Sequence, residues 1–153
     1  MSTTRARVEA VSIVGAALLA HAPGLGGEPT WDDQDLVFQN PLVLAPDGIA
    51  RAWSITAAHG YYAPLTTATH WIDHRLWGTS PLPYQVENLL LHALAAILAC
   101  RVARRLVLTP TASLLVGLLF AAHPVAFESV ASFPERKNVL SITLAPAATI
   151  AFL

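Results

Sequence analysis

The chain has 153 residues, 54% of them hydrophobic and 12% charged, with a mean hydropathy of +0.51. A soluble domain carries about 25% charged residues, and intrinsic disorder needs the opposite balance of charge to apolar mass. Nine basic and ten acidic side chains leave a net charge of −1, which builds no nucleic-acid surface, and the single cysteine, Cys100, excludes a disulfide framework or a cysteine-rich zinc module.

Uncharged runs mark the expected membrane spans. Residues 10–27, 88–100, 106–127 and 138–153 carry no formal charge. A spanning helix needs about 20 mostly apolar residues, with a lower limit near 17. The first and third runs reach this; the second does so when Arg101, Arg104 and Arg105 snorkel to the interface. The fourth ends on Ala151-Phe152-Leu153 with no cap or polar tail, as expected of a longer protein cut within a helix. The reading is an all-α polytopic membrane segment with spans at about 8–26, 86–105, 108–126 and 138–153, an outer loop at 27–85 and a second outer loop at 123–138. Arg5 and Arg7 precede the first span, and Arg101, Arg104 and Arg105 close the second, so positive charge places the N-terminus and the link around Thr109-Pro110 in the cytoplasm. A rival reading takes the first run as a signal peptide cleaved near Ala20-His21-Ala22.

The long outer loop has structure of its own. Gly24, Gly26, Gly27 and Pro29 end the first helix, and the acidic cluster Trp31-Asp32-Asp33-Gln34-Asp35 follows directly. Asn40-Pro41 and Pro46-Asp47-Gly48 are turn signals. Leu65, Ala68, Ile72 and Leu76 then recur at helical spacing, interleaved with Trp53, Tyr61, Tyr62, Trp71 and Trp77. Aromatic residues of this kind favour the membrane–water boundary, so one or two short helices are expected to lie on the outer leaflet between Ile49 and Trp77. Gly78 and Pro81-Leu82-Pro83 end them.

Candidate chemistry lies mainly in the outer loops. An ionised carboxylate at Asp32 or Asp33 can take a proton from an attacking hydroxyl; the alternative is a solvated acidic loop. Arg136 and Lys137 stand on the side where positive charge is depleted, and a guanidinium beside an ammonium suits a phosphate. Simple pairing with Glu135 or with lipid head groups is the competing reading. Pro124 after His123 opens the end of the third span and leaves Glu128 at the membrane edge, where it is expected to pair with Arg136 or a substrate hydroxyl. His70 and His74 share a helix face at metal-binding spacing, but no third ligand is marked, and an exposed polar face is the plainer reading. His92 within the second span is read as a hydrogen-bond donor between helices, and Cys100 as an apolar filler.

Several blocks carry a resemblance. They are Trp31-Asp32-Asp33, Asn40, Tyr61-Tyr62-Ala63-Pro64-Leu65-Thr66, Leu76-Trp77-Gly78, Asn88-Leu89-Leu90-Leu91-His92-Ala93-Leu94, His123-Pro124, Glu128-Ser129-Val130-Ala131 and Glu135-Arg136-Lys137-Asn138-Val139-Leu140-Ser141. In this order they resemble the N-terminal part of bacterial membrane proteins with C-terminal tetratricopeptide repeats. Those proteins are related to the animal transmembrane-and-TPR O-mannosyltransferases and, more remotely, to the protein O-mannosyltransferases, all with the C-type glycosyltransferase fold. The resemblance implies a multi-pass protein of the bacterial plasma membrane. It implies inverting transfer of a sugar from a polyprenyl-phosphate carrier to a protein or glycan hydroxyl on the outer side. Asp32 or Asp33 would then be the base, Arg136 and Lys137 the donor-phosphate contacts, and Glu128 and His123 residues lining the site. No cofactor is marked, and a divalent metal is not indicated. The chain departs from the family pattern at Ala63, where a basic residue is common, at Glu87, where a small polar residue is usual, and at Phe133-Pro134. The remaining spans and the repeats of such proteins are absent from these 153 residues, so the fragment by itself is expected to be inactive. Other classes open to the same sequence are a non-catalytic membrane scaffold and a transporter of lipid-linked sugars.

Overall fold

A computed structural model describes residues 3–54, 61–106 and 108–153. These residues form helices and turns and contain no strand. Four helices build the body: α1 (Thr3–His21), α6 (Pro81–Arg105), α7 (Pro110–Ala121) and α9 (Arg136–Phe152). Between α1 and α6 lie α2 (Trp31–Asp33), which runs on as a π turn at Gln34–Phe38, then α3 (Pro41–Leu44), α4 (Gly48–Ala52) and α5 (Pro64–Trp77). α8 (Ala126–Ala131) separates α7 from α9. Residues 55–60 of the expected interfacial segment, and Val107 of the third run, lie outside the described residues.

The four body helices alternate in direction. At one end Arg104 Nη2 meets Glu9 Oε1 at 3.0 Å and the Pro110 carbonyl at 3.2 Å, while Arg105 donates to the Ile150 carbonyl at 2.6 Å. The start of α1, the end of α6, the start of α7 and the end of α9 therefore meet there. At the other end Gln85 accepts from the Gly26 amide at 2.6 Å and donates to the Ala131 carbonyl at 3.2 Å. The described residues of 22–54, 61–80 and 122–135 gather at that second end.

The helix bounds differ from the expected spans in instructive ways. α1 starts at Thr3 and takes in Arg5, Arg7 and Glu9, because Arg5 and Glu9 pair one turn apart at 3.1 Å. α6 starts at Pro81 instead of residue 86. Prolines 81 and 83 both lie in its first turn, where amides have no intrahelical acceptor and proline costs nothing. α7 is only 12 residues long, capped by Thr109, whose side chain accepts from the Ala112 amide at 3.3 Å. By length and apolar composition, α6 is the one helix among the described residues able to cross a membrane, and α7 is a shorter apolar helix.

Beside a buried apolar core around Ile13, Leu89 and Val130, the packing departs from that of a water-soluble bundle. Along α6, Gln85, Asn88, His92, Ala93, Ala96 and Cys100 face inward, while Leu82, Val86, Leu90 and Leu94 face outward. Asn88 and Ser113 are fully buried, whereas Leu19 is 84% and Leu119 69% exposed. Hydrocarbon surroundings solvate leucine as well as a protein core does, so small and polar residues take the helix contacts. Gly117 shows the closeness this allows: an added Cβ would fall 2.6 Å from Ile13 Cδ1 and 3.0 Å from Cys100 Cβ. His21 Nε2 and His92 Nε2 converge on one acceptor, the Ala121 carbonyl, at 3.0 and 3.2 Å. That carbonyl lies in the last turn of α7, where backbone acceptors lack helical partners. His92 thus has the interhelical hydrogen-bonding place expected of it.

Helix α5 departs in the same way. Its apolar stripe of Leu65, Ile72 and Leu76 is exposed, and Thr66, His70 and Asp73 are buried. The helical period over 65–76 is as expected, but the polar face is the one that packs on the protein. The exposed polar face expected for His70 is thereby corrected. Gly78, at φ +61°, stops the helix where most side chains would be strained.

Candidate functional site

The two adjacent aspartates have different surroundings. Thr30 caps α2, and Asp33 Oδ2 accepts from the Thr30 amide at 2.7 Å and the Thr30 hydroxyl at 2.8 Å. This reciprocal cap makes the acidic stretch a helical turn where an open loop was expected. Asp33 is 2% exposed, and its Oδ1 also accepts from the Phe133 amide at 2.8 Å. Phe133 in turn packs into an aromatic cluster with Phe38 and Tyr84, ring centroids 5.5 and 5.2 Å away. Asp33 therefore ties the entry of the long loop to the turn before α9. Asp32, one residue earlier, is exposed.

Among the described residues Arg136 is the most deeply buried charged side chain, at 1% exposure. Its Nε donates to Asn88 Oδ1 at 2.8 Å, and Nη2 to the Tyr84 carbonyl at 3.0 Å. Nη1 pairs with Asp73 and, at 3.0 Å, with Glu87 Oε2. Glu87 also accepts from Trp77 Nε1 at 3.1 Å. The partners of Arg136 are thus Asp73 and Glu87; the expected pairing with Glu128 is not formed. A phosphate reaching Arg136 has to displace one of these carboxylates. Glu128 and His123 are both exposed, on α8 and on the turn before it. His123 borders a cavity of about 510 Å³ with His92, Ser129 and Asn138.

Lys137 has a different setting. It is about one-third exposed, pairs with Glu135 Oε1 at 2.7 Å, and lies 5.2 Å from the Tyr61 ring centroid. It edges a cavity of about 230 Å³ whose walls include Trp53, Pro64, Leu140 and Leu144. A cation thus stands at the mouth of an apolar groove, just after the turn of chain that Asp33 anchors.

His70 and Asp73 form the inner part of the ionic cluster, 3.8 Å apart from Nδ1 to Oδ2. Burial pushes the His70 ring below its ordinary value, against the pull of Asp73. For Asp73, burial works upward, but the nearby His70 ring and the Arg136 charge hold the carboxyl below its usual range. No group of three or more His, Cys, Asp or Glu that could hold a metal occurs among the described residues. Both shifts act in the same sense. The unfolded chain binds a proton at His70 near pH 6.5 and at Asp73 near pH 3.9, above the folded values in each case. Their stabilisation is present above those pH values and is lost as pH falls through them toward the folded ones. Thermal unfolding in detergent is expected to fall in a first step below about pH 6.5 and a second below about pH 4. His70→Gln shrinks the first step; an unchanged step would assign it elsewhere.

Sequence comparison identifies relatives for this arrangement. The chain is 28% identical over 150 residues to a protein O-mannosyl-transferase of Caenorhabditis elegans, covering 90% of this chain and 22% of the relative. It is 32% identical over 152 residues to protein O-mannosyl-transferase TMTC4 of Homo sapiens, covering 84% and 20%. It is 33% identical over 137 residues to protein O-mannosyl-transferase TMTC2 of Mus musculus, covering 84% and 16%. The chain spans about a fifth of the length of these animal relatives. No family model matches it, and no solved structure matches it significantly. Over 84–90% of its own length the chain is a homologue of the protein O-mannosyl-transferases.

Proposed function

We propose that the intact protein is a multi-pass glycosyltransferase that moves a sugar from a polyprenyl-phosphate carrier to a protein or glycan hydroxyl on the outer face of a bacterial plasma membrane. Its N-terminus is cytoplasmic, and tetratricopeptide repeats follow the spans. The observation that carries the reading is the hydrogen bond that the Phe133 amide donates to the Asp33 carboxylate at 2.8 Å. It holds the helix bearing Asp32 beside the turn that leads into α9 and Lys137, so an exposed carboxylate and a part-exposed cation occupy one end of the bundle. The names of the animal relatives support transfer of mannose to protein as the reaction class. The outward leucines of α6 and the exposed apolar stripe of α5 support a lipid environment.

In this reading the acceptor O–H gives its proton to the Asp32 carboxylate while its oxygen attacks the anomeric carbon. The bond from that carbon to the phosphate oxygen breaks on the opposite face, which inverts the configuration. The electron pair leaves on the carrier phosphate, and the Lys137 ammonium meets that charge. The apolar groove beside Lys137 takes the first part of the polyprenyl chain. Arg136, bonded to Asp73, Glu87, Asn88 and Tyr84, holds the start of α9 in place and acts on the phosphate through the position of Lys137. Glu128 and His123 line the approach of the acceptor.

The test uses the full-length protein in proteoliposomes with polyprenyl-phosphate-mannose and a hydroxyl-bearing acceptor. Lys137→Gln is expected to raise KM for the donor roughly tenfold, the order of one hydrogen bond to a charged group, and Lys137→Arg to recover part of it. A donor KM equal to the parent's in Lys137→Gln removes Lys137 from the site. Transfer undetectable even in the parent protein removes the reaction.

A further inference from the structure

The opposite end of the bundle holds a second built feature. A crevice of about 350 Å³ opens between α1, the end of α6 and the end of α9. Its rim carries Arg101, Arg104 and Arg105, and the one carboxylate there is Glu9. Arg104 meets that carboxylate at 3.0 Å, and Arg5 meets it from outside at 3.1 Å. Arg105 donates to a neutral acceptor, the Ile150 carbonyl, and the Arg101 side chain is exposed. Three arginines against one carboxylate leave the rim positive. Below the rim the wall turns apolar, with Ala10, Ile13, Ile97 and Ile150.

We infer that this crevice binds an anionic diacyl phospholipid, with its phosphate on Arg101 and Arg105 and the upper part of one acyl chain against Ile97 and Ile150. Charge complementarity selects an anion, and a guanidinium pair grips a phosphate through parallel hydrogen bonds. The continuous apolar wall selects a lipid over free phosphate, which leaves that wall unused. Basic pockets between spans on the cytoplasmic side are suited to such head groups. This inference rests on the membrane reading above and is independent of the transferase reading, whose groups lie at the other end.

The experiment reconstitutes the chain into phosphatidylcholine bilayers and titrates in phosphatidylglycerol, with bound lipid counted by native mass spectrometry. Stable reconstitution in phosphatidylcholine alone reports on membrane insertion separately. Phosphatidylglycerol is expected to be retained selectively, and Arg101→Gln/Arg105→Gln to weaken that retention on the order of 30-fold, the effect of two basic residues at a lipid surface. Arg7→Gln, on the same end but off the crevice, leaves retention unchanged. Ala10→Phe, which fills the apolar wall and spares the arginines, also abolishes it, so the result does not hang on the folding of the double variant. Equal retention of the two lipids by the parent chain overturns the inference. So does undiminished retention in either crevice variant.

Discussion

Replacing Arg136 with methionine is expected to destabilise the fold by about 3–5 kcal/mol, the cost of breaking a buried ion pair from one side. The side chain is 1% exposed, and Asp73, its pair, is 4% exposed. Without the guanidinium, the nearest basic group left to Asp73 is His70, at 3.8 Å, whose ring burial favours in its neutral form. The Asn88 side-chain oxygen and the Tyr84 carbonyl lose their donors at the same stroke. Glu87, at 34% side-chain exposure, can turn to water and contributes less. The cost measures the orphaned carboxylate and not the worth of the pair, because two charges removed together take their desolvation penalty with them. The double variant Arg136→Met/Asp73→Leu is therefore expected to regain most of the loss. Thermal unfolding of the three proteins in the same detergent checks this. A single variant that unfolds with the parent, or a double variant no better than the single, would show that the cluster is wetter than its burial implies.

This cluster also marks the limit of what could be read from the residues in order. The spans read from the uncharged runs lie within about five residues of the ends of α1, α6, α7 and α9, since the absence of charge is a local property of the chain. The errors at their ends have local causes too. Pro81 and Pro83 look like breakers but serve as the first turn of α6. Thr30 stands three residues before Asp33, the spacing of a reciprocal cap, and that signal was available for placing a helical turn at Trp31. The partners of Arg136 are another matter. Asp73 lies 63 residues away and Asn88 48, and no periodicity links residues so distant. A neighbour such as Glu128 or Glu135 is the natural guess from sequence. The face of α5 was hidden for a different reason. Leu65, Ile72 and Leu76 define a stripe whatever the solvent, but whether the stripe turns in or out depends on whether water or hydrocarbon surrounds the helix.

The difference between Asp32 and Asp33 gives the sharpest functional expectation. Asp33→Ala takes away the side chain that closes the reciprocal cap with Thr30 on α2, a hydrogen-bond loss of about 0.5–1.5 kcal/mol, and leaves the Phe133 amide without its acceptor, at a further cost of about 1–3 kcal/mol. Activity of that variant falls together with its unfolding temperature, because the helix carrying Asp32 is no longer tied to the turn that leads into α9 and Lys137. Asp32→Asn touches neither bond and is nearly isosteric, so the unfolding temperature stays at the parental value. In the full-length protein its turnover is expected to fall by roughly 10²–10⁴, the range for loss of a positioned general base, with donor KM little changed. The two measurements separate the roles on one pair of neighbouring residues: stability and rate move together at position 33, and rate alone moves at position 32. Parental turnover in Asp32→Asn, with the sugar still transferred to a hydroxyl, would take the base out of this loop altogether. Transfer would then need its proton acceptor elsewhere on the outer end, where Glu128 is one of several exposed carboxylates and Glu128→Gln the first variant to measure.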